Sequence, residues 1–191
     1  MIEIYGLATA AAYVLIIAFV VVFAAYLIDK RRQKRLMLSA QNLNLTLNGE
    51  VWTRDVDGFP LSVRFEKSND ESSRETTVFE MFIGAGLPVD LVIRPYDSQA
   101  VDSPDSQKIR VGSTELDENL HVSGKNQQVV LDWAKKGKTL QGLSLLCRLD
   151  LGEPTLERGT LRLMIPADLT TEEELAAPIA KLAEIARCLS V

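Results

Sequence analysis

The first long pattern in the chain is an absence of charge: residues 4–28 hold no Asp, Glu, Lys or Arg over 25 positions, and residues 10–25 are apolar on every face. As a helix rising about 1.5 Å per residue this run extends roughly 37 Å, more than the roughly 30 Å of hydrocarbon in a bilayer. It predicts a membrane-spanning helix with some tilt, not an amphipathic helix with one wet side. Tyr5 and Tyr26 lie near its two ends, where amphipathic rings favour the interface. Beyond it no Gly or Pro interrupts the chain as far as residue 42, and Leu36, Met37, Ala40 and Leu43 recur at helical spacing. The pattern divides the chain into an anchor over 1–28, a basic juxtamembrane helical stalk over 29–42 and a folded domain over 43–191.

Inside that domain the period changes. Leu43, Leu45 and Leu47 alternate with polar residues up to Asn48-Gly49, strands are expected over 51–54 and 60–66 around the turn Asp55-Val56-Asp57-Gly58, and a polar loop over 67–75 precedes β-branched and apolar strands at 76–83 and 91–93. Residues 94–107 are unpatterned, with two Pro and three Asp, and read as a long loop. Short strands are expected at 108–111 and 120–122, around the Gly112-Ser113 turn and the acidic stretch Glu115-Leu116-Asp117-Glu118. Two short helices follow, one with Val129, Val130 and Trp133 on a face and one with Leu140, Leu143, Leu145 and Leu146. Alternation of Leu161, Leu163 and Ile165 around Gly159 marks strands over 155–165. Thr170-Thr171-Glu172-Glu173 has the look of a capping box opening an amphipathic helix, in which Pro178 should produce a kink or mark the true start. Strands in the middle and helices at the end make an α+β domain: a small antiparallel sheet with helices packed on one face.

Charge adds a direction. The formal net charge is −5, but Lys30, Arg31, Arg32, Lys34 and Arg35 form one run, and from residue 36 onward 16 basic and 24 acidic residues leave a net −8. A cleaved secretory signal would place positive charge before a shorter apolar run and small residues after it. Here the order is reversed, with Glu3 ahead and five cations behind, so an uncleaved anchor is expected even though Val22-Phe23-Ala24 resembles a cleavage site. By the positive-inside bias the five cations stay cytoplasmic, placing the N-terminus outside and the domain in the cytoplasm of a single-pass inner-membrane or plasma-membrane protein. The same cluster could also meet anionic lipid. Gly6-x-x-x-Ala10 and Ala8-x-x-x-Ala12 have the small-residue spacing through which two such helices self-associate, although lipid-facing alanines are the default reading. An acidic domain has no electrostatic reason to seek nucleic acid.

The apolar N-terminal helix, Thr76-Thr77-Val78-Phe79, Leu87-Pro88-Val89-Asp90-Leu91-Val92-Ile93, the Gly112 turn with Glu115-Leu116-Asp117, and the closing helix together resemble a broad group of uncharacterised bacterial membrane-anchored proteins with a cytosolic domain of unknown function. The resemblance implies an inner-membrane protein with a small α+β domain and transfers no activity.

The residues that usually carry chemistry are sparse. Cys147 and Cys188, each among apolar neighbours, read as small buried hydrophobes, and two Cys with one His are too few for a structural zinc. His121 lies in strand-like sequence and reads as a solvated strand histidine, with no G-x-S-x-G for it to serve. Gly84-Ala85-Gly86 lacks the further glycines and following helix of a phosphate loop and reads as a strand connection. Asp97, Asp102 and Asp105 lack the ligand spacing of a calcium loop. No cofactor, metal or catalytic residue is expected. The surface least explained by packing is Trp133 with Lys135, Lys136 and the neighbouring Lys138, together with the 94–107 loop; the competing reading makes Trp133 a half-buried helix residue. The function expected from all this is a membrane-tethered interaction or accessory module holding a protein partner near the bilayer. Its rival is a membrane-anchored small-ligand sensor or enzyme whose site is built from residues distant in sequence.

Overall fold

The computed structural model describes residues 2–66, 75–84, 86–96 and 108–190, with side chains from residue 13 onward. The chain begins with a single long helix, α1 (Ile2–Asn42), which contains an 18-residue window of mean hydropathy 2.2 with none of it buried. It is long and apolar enough to cross a membrane, and it runs through the basic segment without a break because nothing from 2 to 42 lacks an N–H or demands a positive φ.

Eight strands follow: β1 (Thr46–Asn48), β2 (Val51–Val56), β3 (Phe59–Glu66), β4 (Thr76–Phe82), β5 (Val92–Pro95), β6 (Leu120–Ser123), β7 (Glu153–Glu157) and β8 (Thr160–Ile165). They form one sheet in the order β1-β2-β3-β4-β8-β7-β5-β6, antiparallel at every pairing. Four more helices are α2 (Thr114–Asn119), α3 (Gln127–Ala134), α4 (Gly137–Cys147) and α5 (Glu172–Leu189). The architecture is α+β, a long apolar N-terminal helix followed by an antiparallel sheet with helices.

Alternation sets which side of the sheet is dry. Trp52, Leu61, Val63, Phe79, Met81, Leu156, Leu161, Leu163 and Ile93 point to one side and are buried. Against them lie Leu175, Ile179, Leu182, Ile185 and Leu189 of α5 and Leu143 and Leu146 of α4, all in one continuous core. The capping box that starts α5 uses Thr171, whose hydroxyl accepts from the Glu174 N–H at 3.3 Å, while Glu174 Oε2 accepts from the Thr171 N–H at 3.0 Å. The helix therefore starts well before Pro178, which is buried inside it, and the expectation that Pro178 marks the start is corrected.

Other expectations shift as well. The turn between β2 and β3 is Asp57-Gly58 alone, both at positive φ (57° and 84°), and Asp55 and Val56 stay in the ladder. Glu115-Leu116-Asp117-Glu118 is not a loop but the body of α2, held because Asp117 accepts from the Val111 and Gly112 N–H groups at 2.7 and 3.2 Å. Residues 108–111 are not a strand: the Ile109 N–H donates to the Val122 carbonyl at 2.7 Å without a ladder forming. Residues 67–74 and 97–107, with Asp97, Asp102 and Asp105, lie outside the described residues, as do the side chains of Gly6, Ala8, Ala10 and Ala12.

Candidate functional site

Among the described residues the helices pack on one face of the sheet, and the outward residues of the middle strands on the opposite face are partly exposed. Register aligns its outward residues into rows. One row runs Thr53, Ser62, Glu80, Arg162, Thr155 across five strands, and the next runs Asp55, Pro60, Phe82, Thr160, Glu157. The first row is polar throughout. At its centre Arg64 donates through Nη2 and Nη1 to Glu80 Oε1 and Oε2 at 3.1 and 3.3 Å, and through Nε to Glu66 Oε1 at 2.8 Å. Arg162 Nη2 and Nε stand 3.6 Å from Glu66 and Glu80, ion pairs too long for hydrogen bonds, and Arg162 Nε is buried with no hydrogen-bond partner among the described residues. Two guanidinium groups and two carboxylates cancel, so this patch is polar but neutral. On the same face Val78, opposite Arg64 in the ladder, is fully buried. A further pair, Arg94 to Glu157 at 2.9 Å, continues the network toward β5.

Beside this network the sheet forms an open concavity of about 690 Å³, lined by Thr46, Thr53, Asp55, Ser62, Glu80 and Phe82 among others. Phe82 is 50% exposed in its rim. Apolar ring, hydroxyls and carboxylates suit a polypeptide surface more than a single small charged ligand, because the arginines nearby are already paired. Among the described residues no three His, Cys, Asp or Glu side chains gather as a metal site.

A second feature joins α1 to the domain. Arg32 forms ion pairs with Glu75 and Asp168, and its side chain is 31% exposed. Further along the same helix Ser39 Oγ donates to the Thr170 carbonyl at 2.9 Å, Asn42 Nδ2 to Glu172 Oε2 at 2.8 Å, and Ala40 is fully buried. Arg32, Leu36, Ser39 and Ala40 thus form one stripe along the helix that packs on the domain. Lys30, Arg31, Lys34 and Arg35 are exposed. Of the five cations singled out in the sequence, one is bound into the fold and four are presented to the outside.

The other sequence candidates are placed differently from expectation. Trp133 is only 4% exposed and belongs to the core, so its ring is not offered to a partner alongside Lys135 and Lys136, which are exposed. The reason is periodicity: Val130, Trp133 and Ala134 share the inward side of α3, and the half-exposed apolar residue there is Val129 at 47%. His121, opposite Arg94 on β6, is 8% exposed rather than solvated. Cys147 and Cys188 are partly buried and unbridged. Burial, then the Glu115 carboxylate, pushes the Cys147 thiol up from its ordinary value, against a smaller opposing pull from Arg148. The bare sheet face was not singled out by the sequence, although the alternation of Arg64, Glu66, Glu80 and Arg162 with apolar residues is its signal.

No protein-family model matches the sequence, and comparison with curated proteins finds no match. Among solved structures, the fold is similar to that of the crystal structure of the mycobacterial trehalose monomycolate transport factor A, TtfA, with a TM-score of 0.52, 10% sequence identity, and coverage of 83% of this chain and 96% of that one. The likeness is one of fold.

Proposed function

We propose that the protein is a single-pass membrane-anchored accessory module: α1 spans the bilayer with its N-terminus outside, and the α+β domain, on the cytoplasmic side, engages a protein partner through the bare face of its sheet. The observation that carries this reading is the partly exposed polar face around Glu80, Arg162 and the half-exposed Phe82, free of helices among the described residues, in a chain that begins with a helix apolar enough to cross a membrane. Similarity of fold to a protein described as a transport factor supports an accessory role over an independent enzyme. The four exposed cations, Lys30, Arg31, Lys34 and Arg35, with Arg32, supply the positive-inside bias for the orientation. The small residues Gly6, Ala8, Ala10 and Ala12 offer a route for two anchors to pair within the bilayer.

Photo-crosslinking from native membranes tests the reading. A benzophenone side chain at Phe82 or Ser62 should give discrete adducts with a membrane-associated partner, and one at Lys135 or Lys136 should not. Adducts from the lysines and none from Phe82 or Ser62 would move the partner to the other side of the domain. A reporter fused to the C-terminus that is active only outside the cytoplasm would overturn the orientation.

A further inference from the structure

The contacts between α1 and the domain fix more than an attachment point. We infer that the end of the sheet formed by the close of β3, the start of β4 and the close of β8 rests against the lipid headgroup layer, held there by Arg32; the inference rests on α1 spanning the bilayer. Arg32 lies four residues past Ile28, the last of the uncharged run, which is about 6 Å along a helix axis and within the thickness of one headgroup layer. Of its two partners, Glu75 directly precedes the first residue of β4 and Asp168 lies three residues past the last of β8. That end of the sheet is therefore at headgroup depth.

The direction of the strands follows from a second contact. Eleven residues further along, the Leu43 carbonyl accepts from Arg54 Nη1 at 2.6 Å, and Arg54 is in register with Leu61 and, through it, with Met81 near the close of β4. From Arg32 to Leu43 the chain thus travels in the same sense as β4, with α1 packed on α5, away from the bilayer. The opposite end of the sheet, with the turns Asp57-Gly58 and Arg158-Gly159, stands roughly 20 Å farther out, the length of the seven residues of β4. The bare face stands like a wall on the membrane surface.

Charge makes this placement tolerable. Of the described carboxylates at the near end, Glu66, Glu75 and Asp168 are neutralised, Arg32 pairing with the last two and Arg64 and Arg162 with the first, while Glu50 and Glu153 at its margins are exposed. Lys30, Arg31, Lys34 and Arg35, exposed on the rest of the helix circumference, meet the same phosphates favourably.

The test uses the full chain with Cys147 and Cys188 replaced by Ser, reconstituted in phosphatidylcholine vesicles doped with a nickel-chelating lipid. A single nitroxide is placed at Pro166→Cys, at the near end, or at Arg158→Cys, at the far end; both positions are exposed. Nickel at the headgroups should enhance relaxation several-fold more at 166 than at 158, and Arg32→Glu should bring the two toward equality while the circular dichroism spectrum stays unchanged. Equal relaxation at both sites in the unaltered clamp, or a difference that survives Arg32→Glu in a folded domain, overturns the inference. Should Arg32→Glu unfold the domain, Arg32→Gln takes its place with the same readout. A nitroxide at Val20 separates the two levels of the argument: one accessible to oxygen and closed to aqueous nickel chelate marks a spanning helix, so equal relaxation at 166 and 158 then refutes the apposition alone, and a water-accessible Val20 refutes the span and the apposition together.

Discussion

The hydroxyl of Ser39 donates to the carbonyl oxygen of Thr170 at 2.9 Å, tying the first helix of the chain to the loop that leads into its last, across 131 residues. It is one of three polar ties between α1 and that loop region, with Arg32 to Asp168 and Asn42 to Glu172, and it is partly buried. Ser39→Ala removes the donor and leaves a carbonyl without its partner, so it should lower the stability of the full chain in detergent by about 1 kcal/mol. Urea denaturation monitored by circular dichroism measures this. A loss below a few tenths would mean that water replaces the hydroxyl at no cost.

The capping box at the start of α5 gives a pH signature. The Thr171 N–H, donating to the Glu174 carboxylate, holds that carboxyl below the usual range, against a weaker upward push from desolvation. A lowered folded value means that the carboxylate stabilises the fold fully above the unfolded pKa of about 4.3, and that this contribution is lost as pH falls through the folded value. Glu174→Gln lacks it. The stability gap between wild type and variant should therefore be constant near neutral pH and narrow below about pH 4. A gap of the same size at both ends of that range would show that the hydrogen bond does not depend on charge.

Two glycines should respond differently to the same added methyl. A Cβ at Gly142 would meet Leu189 Cδ2 at 2.7 Å and Cys188 Cβ at 2.9 Å, where α4 crosses α5; Leu189 can rotate away, while Cys188 Cβ yields only by a small shift between the helices. At Gly152 it would collide with the carbonyl oxygen of Met164, in the ladder between β7 and β8, and backbone cannot yield. Gly142→Ala should cost about 1–3 kcal/mol, reduced by up to about 1 kcal/mol of helix propensity, and Gly152→Ala should cost more. Thermal melts of the two variants decide it, and the reverse order would contradict the packing described.

Trp133 is a core residue with an orphan donor: its Nε1 is buried without a hydrogen-bond partner among the described residues. Trp133→Ala should cost about 3–5 kcal/mol. Trp133→Phe keeps most of the ring volume and removes the unsatisfied N–H, whose burial costs about 1–3 kcal/mol, so it should cost less than half as much. Equal losses in the two variants, read by urea titration, would mean that the indole N–H is satisfied after all.

The Cys147 thiol should be slow toward alkylation. With Cys188 replaced by Ser, iodoacetamide should modify folded Cys147 more slowly than a free cysteine peptide at the same pH, because burial and Glu115 keep it protonated. Glu115→Gln should speed it, since the pull of Arg148 is then opposed by burial alone. Alkylation at the peptide rate would show that the site opens readily.

Much of the fold is legible in the order of residues. The uncharged run, the alternation through Leu161, Leu163 and Ile165, and the threonine and glutamate opening α5 each depend on neighbours within one element, and the corresponding elements form. What escapes is whatever depends on a distant partner. Arg32 looks like any of five cations until Glu75 and Asp168 are brought to it, and Trp133 beside three lysines reads as exposed until Val130 and Ala134 are seen to share its inward side. Glu115 to Glu118 carries too few apolar residues to show a helical period, yet six residues fold as α2 because Asp117 satisfies the two N–H groups before it. The candidate surface is harder still, since Ser62, Glu80 and Arg162 become neighbours only through register.

The three-residue length of β1 and the single bond from Ile109 to Val122 bear on how anything can attach. At one margin of the sheet β1 pairs with Val51, Trp52 and Thr53 alone, leaving the other side of Arg54 to Val56 without a strand neighbour among the described residues, and the Asn48 side chain is turned back to Thr53 at 2.8 Å. At the other margin the chain at Ile109 lies along β6. A row of free backbone donors and acceptors long enough to template an incoming peptide is thus missing among the described residues, and such rows are also where proteins recruit unwanted copies of themselves. The edge strands β1 and β6 are three and four residues long, too short to template a long incoming strand, so under the accessory role proposed above recognition would fall to side chains, and a partner's complementarity would be written in its surface shape and not in its readiness to become a ninth strand.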